Sequence, residues 1–217
     1  MTKHILFYLL LLLLPTIAFT SCEDNASEVD NSEFTNDWQY RNALFYAEKF
    51  NEAHQAIAEA KKAHGDNWPE HCKWRMFRSY AKMPGGLVTD SICVEIVEQG
   101  KGAGSPLYTD SVKVNYIGRL MPTKSYEKGR AFDYSGLYEN DDYVFNPDFA
   151  TPANMIVNTL IEGFATALMH MHIGDRWKVY IPQELGYAAV PQSLIPAYST
   201  LVFEIQLKAF YRPTAEE

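Results

Sequence analysis

The sequence predicts an α+β fold in which an antiparallel sheet of about five strands wraps around one short helix, with a helical region ahead of it. The helix prediction rests on residues 160–169, where apolar side chains recur every three or four positions. The sheet prediction rests on alternating segments on both sides of that stretch, such as those beginning at Val112 and Thr200. A helix with an apolar face needs such a sheet to cover it.

The first 21 residues have the form of a secretory signal peptide. Lys3 precedes an apolar run over residues 5–14, which is too short to cross a bilayer, and Ser21-Cys22 follows. A small residue directly before a cysteine resembles the lipobox of bacterial lipoproteins, in which the cysteine is acylated. We therefore expect an exported protein anchored to a bacterial membrane through Cys22, at its periplasmic face or outer surface. The alternative is an ordinary cleaved signal in which Cys22 is incidental.

Residues 22–35 predict a flexible tether between the anchor and the folded part. They contain several acidic residues and neither Lys nor Arg, so they cannot bury enough apolar surface to order themselves. The whole chain has a formal net charge of -8 at pH 7, which argues against a nucleic-acid partner.

Residues 36–85 predict a helical extension. Apolar side chains recur at helical spacing between Ala43 and Ala60, and Gly65 ends the pattern. A second amphipathic helix is predicted from about Pro69 to Lys82. Such a narrow stripe favours packing on the chain's own domain, and a homodimer through residues 36–64 is the alternative.

Two cysteines follow Cys22. An exported compartment permits a disulfide between Cys72 and Cys93, but the sequence cannot show that their side chains meet. Two inert thiols are the preferred interpretation, and the disulfide remains the alternative.

From residue 88 onward, a series of motifs occurs in a fixed order. They are VNYIG at 114–118, AFDYS at 131–135, LIEGF at 160–164, IGDRWKVYIP at 173–182, GY at 186–187, and IP at 195–196 with TLVFE at 200–204. Together these motifs resemble the FK506-binding-protein (FKBP) family of peptidyl-prolyl cis-trans isomerases. The resemblance implies an isomerase domain over residues 86–213.

The resemblance also implies which residues form the site. It assigns catalytic roles to Tyr116, Phe132, Asp133, Ile161 and Tyr187, and substrate binding to Leu160, Phe164, Leu194, Ile195 and Phe203. It implies that the Ile161 backbone N–H and the Tyr187 hydroxyl donate to substrate carbonyls, and that Asp133 acts by charge or orientation. Phe164 stands where the best-known members carry a tryptophan. Ala153 or Met155 stands where many members carry an aromatic wall, so we expect a wider apolar pocket.

The expected reaction is rotation about Xaa-Pro bonds in exported, proline-containing polypeptides. Rotation meets a barrier of ~18–20 kcal/mol, because the bond has partial double-bond character. A dry aromatic slot removes the water that stabilises the planar bond and so favours the twisted state. This chemistry needs no nucleophile, metal or cofactor. The alternatives are a client-binding module or chaperone with little catalysis, and a partner-docking helix at 36–85 with the domain as scaffold.

Two further segments invite other interpretations. Residues 134–149 are longer than the equivalent loop in compact family members and predict either a lip that grips unfolded or basic clients or an insertion packed on its own domain. His170 and His172 could bind a metal, but histidines at a helix end are more often structural.

Overall fold

A computed structural model describes residues 32–82 and 86–213. The predicted signal peptide, Cys22 and most of the predicted tether lie outside the described residues. Among the helices that are described, none is long and apolar enough to cross a bilayer.

Seven strands form one antiparallel sheet, where about five were predicted. They are β1 (Trp74–Arg78), β2 (Ser91–Glu98), β3 (Ser111–Leu120), β4 (Ala131–Tyr134), β5 (Ala153–Ile156), β6 (Arg176–Ile181) and β7 (Leu201–Tyr211). The order is β1-β2-β6-β7-β3-β4, and β5 also pairs with β3. The longest ladder joins β3 to β7, from Ser111 opposite Tyr211 to Leu120 opposite Leu201. The two strands of this ladder carry Tyr116 and Phe203 of the predicted site, and β4, at the end of the order, carries Phe132 and Asp133.

The predicted central helix is present but shorter than expected. Helix α2 spans Glu162–Leu168, and every residue after Glu162 is buried. A Cβ on Gly163 would overlap the Ile181 side chain, so the missing side chain lets α2 lie directly on β6. Leu160 and Ile161 precede the helix because Ile161 has an extended ψ of 147°. The extended backbone places the Leu160 and Ile161 side chains at the N-terminal end of α2, where the candidate site lies.

The predicted N-terminal helix is also present, as α1 (Trp38–His64). Its buried residues are Trp38, Asn42, Tyr46, Ala53 and Ala60. Tyr46 and Ala53 share an apolar cluster with Trp74, Tyr180 and Val202 of the sheet. The apolar face is therefore used within the chain, and a homodimer through residues 36–64 would have to use another face.

The second predicted helix is wrong. Residues Gly65–His71 form a 3-10 helix and β1 follows, where a helix from Pro69 to Lys82 was expected. Trp74 is buried and pairs with Glu95, so pairing with β2 satisfies the backbone that a helix would otherwise have satisfied. The sheet therefore begins well before residue 86, inside the predicted helical extension.

The predicted tether is wrong at its last residues. Ser32–Phe34 form a 3-10 turn, and the Phe34 ring packs edge-on against Trp38 with centroids 5.3 Å apart. The Glu33 carboxylate accepts hydrogen bonds from the Thr123 hydroxyl (2.7 Å) and the Ser125 N–H (3.2 Å). One aromatic side chain in an acidic segment is enough to fix its end, because its burial releases apolar surface from water.

Residues 134–149 pack on their own domain, as the second interpretation expected. Phe145 is buried beside Ile117 and Ala131. Arg119 donates to the carbonyls of Asp141 (2.8 Å) and Tyr143 (2.7 Å). Exposed apolar side chains in the segment are Leu137, Val144 and Phe149. The segment is thus held to the sheet by the buried Phe145 and by partly buried hydrogen bonds, and it does not form a free lip.

The cysteines and histidines of the described region have structural surroundings. Cys72 and Cys93 are free, and the Cys93 thiol lies 3.7 Å from the Tyr46 hydroxyl. The His170 ring stacks on Phe77 with centroids 4.1 Å apart, and its Nδ1 lies 2.8 Å from a helix carbonyl. The Cys93 thiol and the His170 ring therefore each contact another side chain of the fold.

Candidate active site

Four aromatic rings from four elements surround one concave region. Phe203 of β7 packs at nearly right angles against Phe164 of α2 (centroids 4.9 Å apart) and against Phe132 of β4 (5.4 Å). Tyr116 of β3 meets Phe164 at 6.0 Å in the same edge-on manner. Edge-to-face pairs of this kind are favourable and leave ring faces free to line a cavity. The arrangement forms an aromatic box.

The box depends on a glycine in β3. A Cβ on Gly118 would lie 2.6 Å from atoms of both the Phe132 and Phe203 rings. Real Cβ atoms do not approach ring carbons so closely, so only glycine lets both rings lie over the strand at this point. Gly118 ends the VNYIG motif, which explains why the motif needs that residue.

Two adjoining cavities open at the box. One, of about 180 Å³, is lined by Tyr116, Asp133, Met155, Thr159, Leu160, Ile161, Phe164, Tyr187 and Phe203. The other, of about 230 Å³, is lined by Phe132, Asp133, Tyr187, Gln192, Ser193, Leu194, Ile195 and Phe203. Asp133, Tyr187 and Phe203 line both cavities. We call the two cavities together the prolyl cavities. Every residue predicted for the site lines one or both of them.

The carboxylate of the site is held in place by two hydrogen bonds. The Tyr116 hydroxyl donates to Asp133 at 2.9 Å, and the Tyr134 backbone N–H donates to the other carboxylate oxygen at 2.9 Å. Burial, followed by the charge of Asp133, raises the pKa of Tyr116 well above its usual value. Tyr116 therefore remains a neutral donor to the Asp133 carboxylate at the edge of the apolar box.

Tyr187 lies on a loop whose backbone is closely fixed. Ala188 has a positive φ of 50°, and its N–H donates to the Gln183 carbonyl while its own carbonyl accepts from Tyr198 at 2.7 Å. Burial and the charge of Asp133 raise the pKa of Tyr187, so its hydroxyl is protonated at neutral pH. The side chain is 36% exposed. It can therefore donate to a group that enters from solvent.

Ile161 offers a backbone donor at the opposite edge. Its carbonyl accepts the first hydrogen bond of α2, from the Ala165 N–H at 3.0 Å. Its N–H donates to no other group within residues 32–82 and 86–213. The first N–H groups of a helix have no partner inside the helix, so this one is available to an incoming carbonyl.

Sequence reasoning missed several lining residues. The sequence did not decide whether Ala153 or Met155 forms the wall of the pocket, and in the structure Met155 lines it. Thr159, Gln192 and Ser193 also line the prolyl cavities and were not predicted. They lie in short irregular segments that no periodicity marks. Only their closeness in sequence to Leu160 and Leu194 could have indicated them.

The lining residues suit a reaction without a covalent intermediate. They include no Cys, His or Lys, and the polar groups besides Asp133 are hydroxyls and an amide. A carboxylate, a phenol and a backbone N–H around aromatic rings can hold a peptide and exclude water from it. The site can therefore bind and twist a bond but lacks the activated nucleophile of a hydrolase.

Comparisons with known proteins are consistent with this geometry. Residues 102–208 match the family model described as FKBP-type peptidyl-prolyl cis-trans isomerase. The chain is 36% identical over 129 residues to the FKBP-type 22 kDa peptidyl-prolyl cis-trans isomerase of Escherichia coli, covering 58% of this chain and 54% of that protein. It is 30% identical over 155 residues to the outer membrane protein MIP of Legionella longbeachae, covering 69% and 54%. The chain thus spans about half the length of the curated relatives it matches.

Among solved structures, a peptidyl-prolyl cis-trans isomerase of Pseudomonas syringae pv. tomato aligns with a TM-score of 0.46 and 23% identity. That alignment covers 76% of this chain and 96% of the other.

Proposed function

We propose, because the chain belongs to the FKBP-type peptidyl-prolyl cis-trans isomerase family, that it accelerates cis-trans rotation of Xaa-Pro bonds in polypeptides. The observation that carries this proposal is the meeting of the aromatic box with Asp133, Tyr187 and the Ile161 N–H around the prolyl cavities. These groups come from segments far apart in the sequence. Their convergence supports the roles that were predicted for them.

In the proposed mechanism the proline ring enters the aromatic box. The rings displace the water that stabilises the planar, charge-separated amide, so the twisted state costs less than in solution. The Ile161 N–H and the Tyr187 hydroxyl donate to substrate carbonyls and fix the chain on either side of the bond. Asp133, held by Tyr116, orients the site and places its charge near the rotating carbonyl.

A client-binding module with little catalysis is the second candidate. It is favoured by Phe164 at the position of the usual tryptophan and by the flexible Met155 in place of an aromatic wall. Both residues keep the cavity apolar but fix a proline ring less firmly. Binding would then exceed turnover.

The proposal includes export and lipid anchoring. It keeps the signal peptide at 1–21 and acylation at Cys22, ends the tether at residue 31, and extends the isomerase domain, predicted at 86–213, back to β1. Several acyl chains on one cysteine would give stable attachment, whereas one chain would not. The matched relative named as an outer membrane protein is in keeping with this location.

The test is an isomerisation assay on short Xaa-Pro peptides with the chain from residue 23, which omits the signal peptide and the acylated cysteine. Acceleration that falls severalfold in Tyr187→Phe supports an isomerase that uses this pocket. A folded protein without acceleration would contradict the isomerase proposal and leave the client-binding module. Mass spectrometry of the full chain expressed with its signal peptide tests acylation, which a Cys22→Ser variant should abolish.

A further inference from the structure

A third and larger cavity shares the loop at residues 192–198 with the second prolyl cavity. It has a volume of about 690 Å³ and lies where the first turns of α1 meet residues 196–198. Its apolar walls are Phe34, Trp38, Tyr40, Ala43, Pro196 and Tyr198. We call it the α1 groove. Tyr40 is 65% exposed, so part of this aromatic surface faces solvent.

One loop separates the α1 groove from the prolyl cavities. Its residues 192–195 line the second prolyl cavity, and the next residues, 196–198, line the α1 groove. Ile195 and Pro196 are consecutive, so the two binding surfaces are continuous along the backbone.

The groove is held open by buried hydrogen bonds. The Trp38 indole N–H donates to the Ser199 hydroxyl at 3.0 Å. The Thr200 N–H donates to the Asn42 side chain at 2.8 Å, and the Thr200 hydroxyl donates to the Asn42 carbonyl at 3.0 Å. All four residues are buried. Because these bonds join helix to loop directly, the two walls of the groove are fixed relative to each other, so binding there requires little further ordering.

We propose that the α1 groove binds a second segment of the same polypeptide substrate, through an aromatic or large aliphatic side chain a few residues from the proline. This inference rests on the proposed isomerase function. An extended chain advances roughly 3.3 Å per residue, and the loop that lines both cavities spans only residues 192–198, so a peptide of about twelve residues is the appropriate probe. The aromatic walls fit an apolar side chain, and the Asp37 carboxylate at the groove favours a basic neighbour. The preferred substrate is thus an unfolded chain and not an isolated Xaa-Pro bond.

The test compares a four-residue Xaa-Pro peptide with two twelve-residue peptides. One of these carries a tryptophan four residues before the proline, and the other carries it four residues after the proline. The groove variants are Tyr40→Ser and Ala43→Arg. Their matched controls are Tyr211→Ser, at the other end of β7, and Ala58→Arg, at an exposed position of α1. We expect the groove variants to lower kcat/KM for one long peptide roughly fivefold, through KM, since one aromatic contact is lost. The short peptide and both controls should be unchanged.

Direct binding separates this inference from the function on which it rests. If the wild type is inactive on both peptides, the isomerase proposal fails, and fluorescence titration of the long peptides still tests the groove. Equal affinity in wild type and groove variants, or equal losses in the controls, would overturn the inference. A dimer by light scattering that Tyr40→Ser converts to a monomer would show that a second copy fills the groove, which also overturns it.

Discussion

The Tyr116 hydroxyl donates a hydrogen bond of 2.9 Å to the Asp133 carboxylate, which lies at the edge of both prolyl cavities. A carboxylate beside aromatic rings is costly unless donors compensate it. Tyr116 supplies one donor and the Tyr134 backbone supplies another. The pair therefore fixes the orientation of the carboxylate at the edge of both cavities.

We expect Asp133→Ala to lower kcat/KM on Xaa-Pro peptides by roughly tenfold without unfolding the domain, since one charge-assisted contact is lost. Asp148→Ala, which removes the same charge from the exposed part of residues 134–149, is the control and should be normal. Full activity in Asp133→Ala would show that the carboxylate has no role in the reaction.

Gly118→Ala should damage both stability and activity. The new methyl group would overlap the Phe132 and Phe203 rings, and overpacking of this kind costs about 1–3 kcal/mol. Thermal unfolding and the isomerisation assay measure the two effects. Phe132→Val in the same background should recover some stability, because it shortens one overlapping side chain, but not activity. An unchanged melting temperature in Gly118→Ala would mean that the rings can move aside.

Asn42→Ala tests whether α1 supports the pocket wall. The change removes the acceptor of the Thr200 N–H and the donor to the Trp38 carbonyl, both buried. We expect a loss of about 1–3 kcal/mol in the free energy of unfolding and a raised KM, since the loop that carries Ile195 is loosened. Gln55→Ala, on an exposed part of the same helix, should change neither quantity. A stability loss with unaltered KM would restrict Asn42 to folding.

The thiols should differ in reactivity and pH response. Burial raises the pKa of the Cys93 thiol to about 11 from 9.0, so alkylating reagents should modify the half-buried Cys72 first in the native protein. The unfolded thiol loses its proton near pH 9 and the folded one near 11. The free energy of unfolding should therefore fall with rising pH across that interval, by about 2–3 kcal/mol.

Cys93→Ala isolates this contribution. Denaturant unfolding between pH 8 and pH 11 should show a shallower decline in the variant than in the wild type. Parallel curves would mean that the thiol does not titrate as described. Detection of a Cys72–Cys93 disulfide in the oxidised protein would contradict the free thiols.

Arg119→Met should release residues 134–149 from the sheet. The guanidinium donates to the Asp141 and Tyr143 carbonyls, and methionine retains the apolar stem without the donors. We expect faster proteolysis and faster amide exchange around Leu137 and Val144. Arg212→Met, at an exposed site, is the control. Unchanged protection in Arg119→Met would show that Phe145 alone holds the segment.

Much of the site could be predicted because the family motifs fix residue types at the ends of strands. Tyr116, Phe132 and Phe203 converge because β3 pairs with both β4 and β7. No spacing rule could give that pairing, since it joins distant segments. The ordered motifs supplied it through resemblance. Met155 and Ser193 escaped prediction because irregular segments carry no period.

The errors outside the site have simple physical causes. β1 was predicted as helix because Trp74, Met76 and Phe77 suit either period over so few residues. Pairing with β2 makes this segment a strand, and a local sequence pattern contains no information on such a partner. Likewise, residues 22–35 were predicted to be a flexible tether because most of them are polar or acidic, and the single apolar ring of Phe34 was given too little weight. In the fold, that one ring has a cluster to join.

The turn at Ser32–Phe34 also determines where mechanical load would enter the folded unit. If Cys22 is fixed in a membrane and a bound client is pulled away, tension along the chain reaches Glu33 and Phe34 first. Their contacts to Thr123, Ser125 and Trp38 would resist it before the aromatic box is strained. Tension on the N-terminal segment would therefore act on these contacts, and the aromatic box would keep its shape.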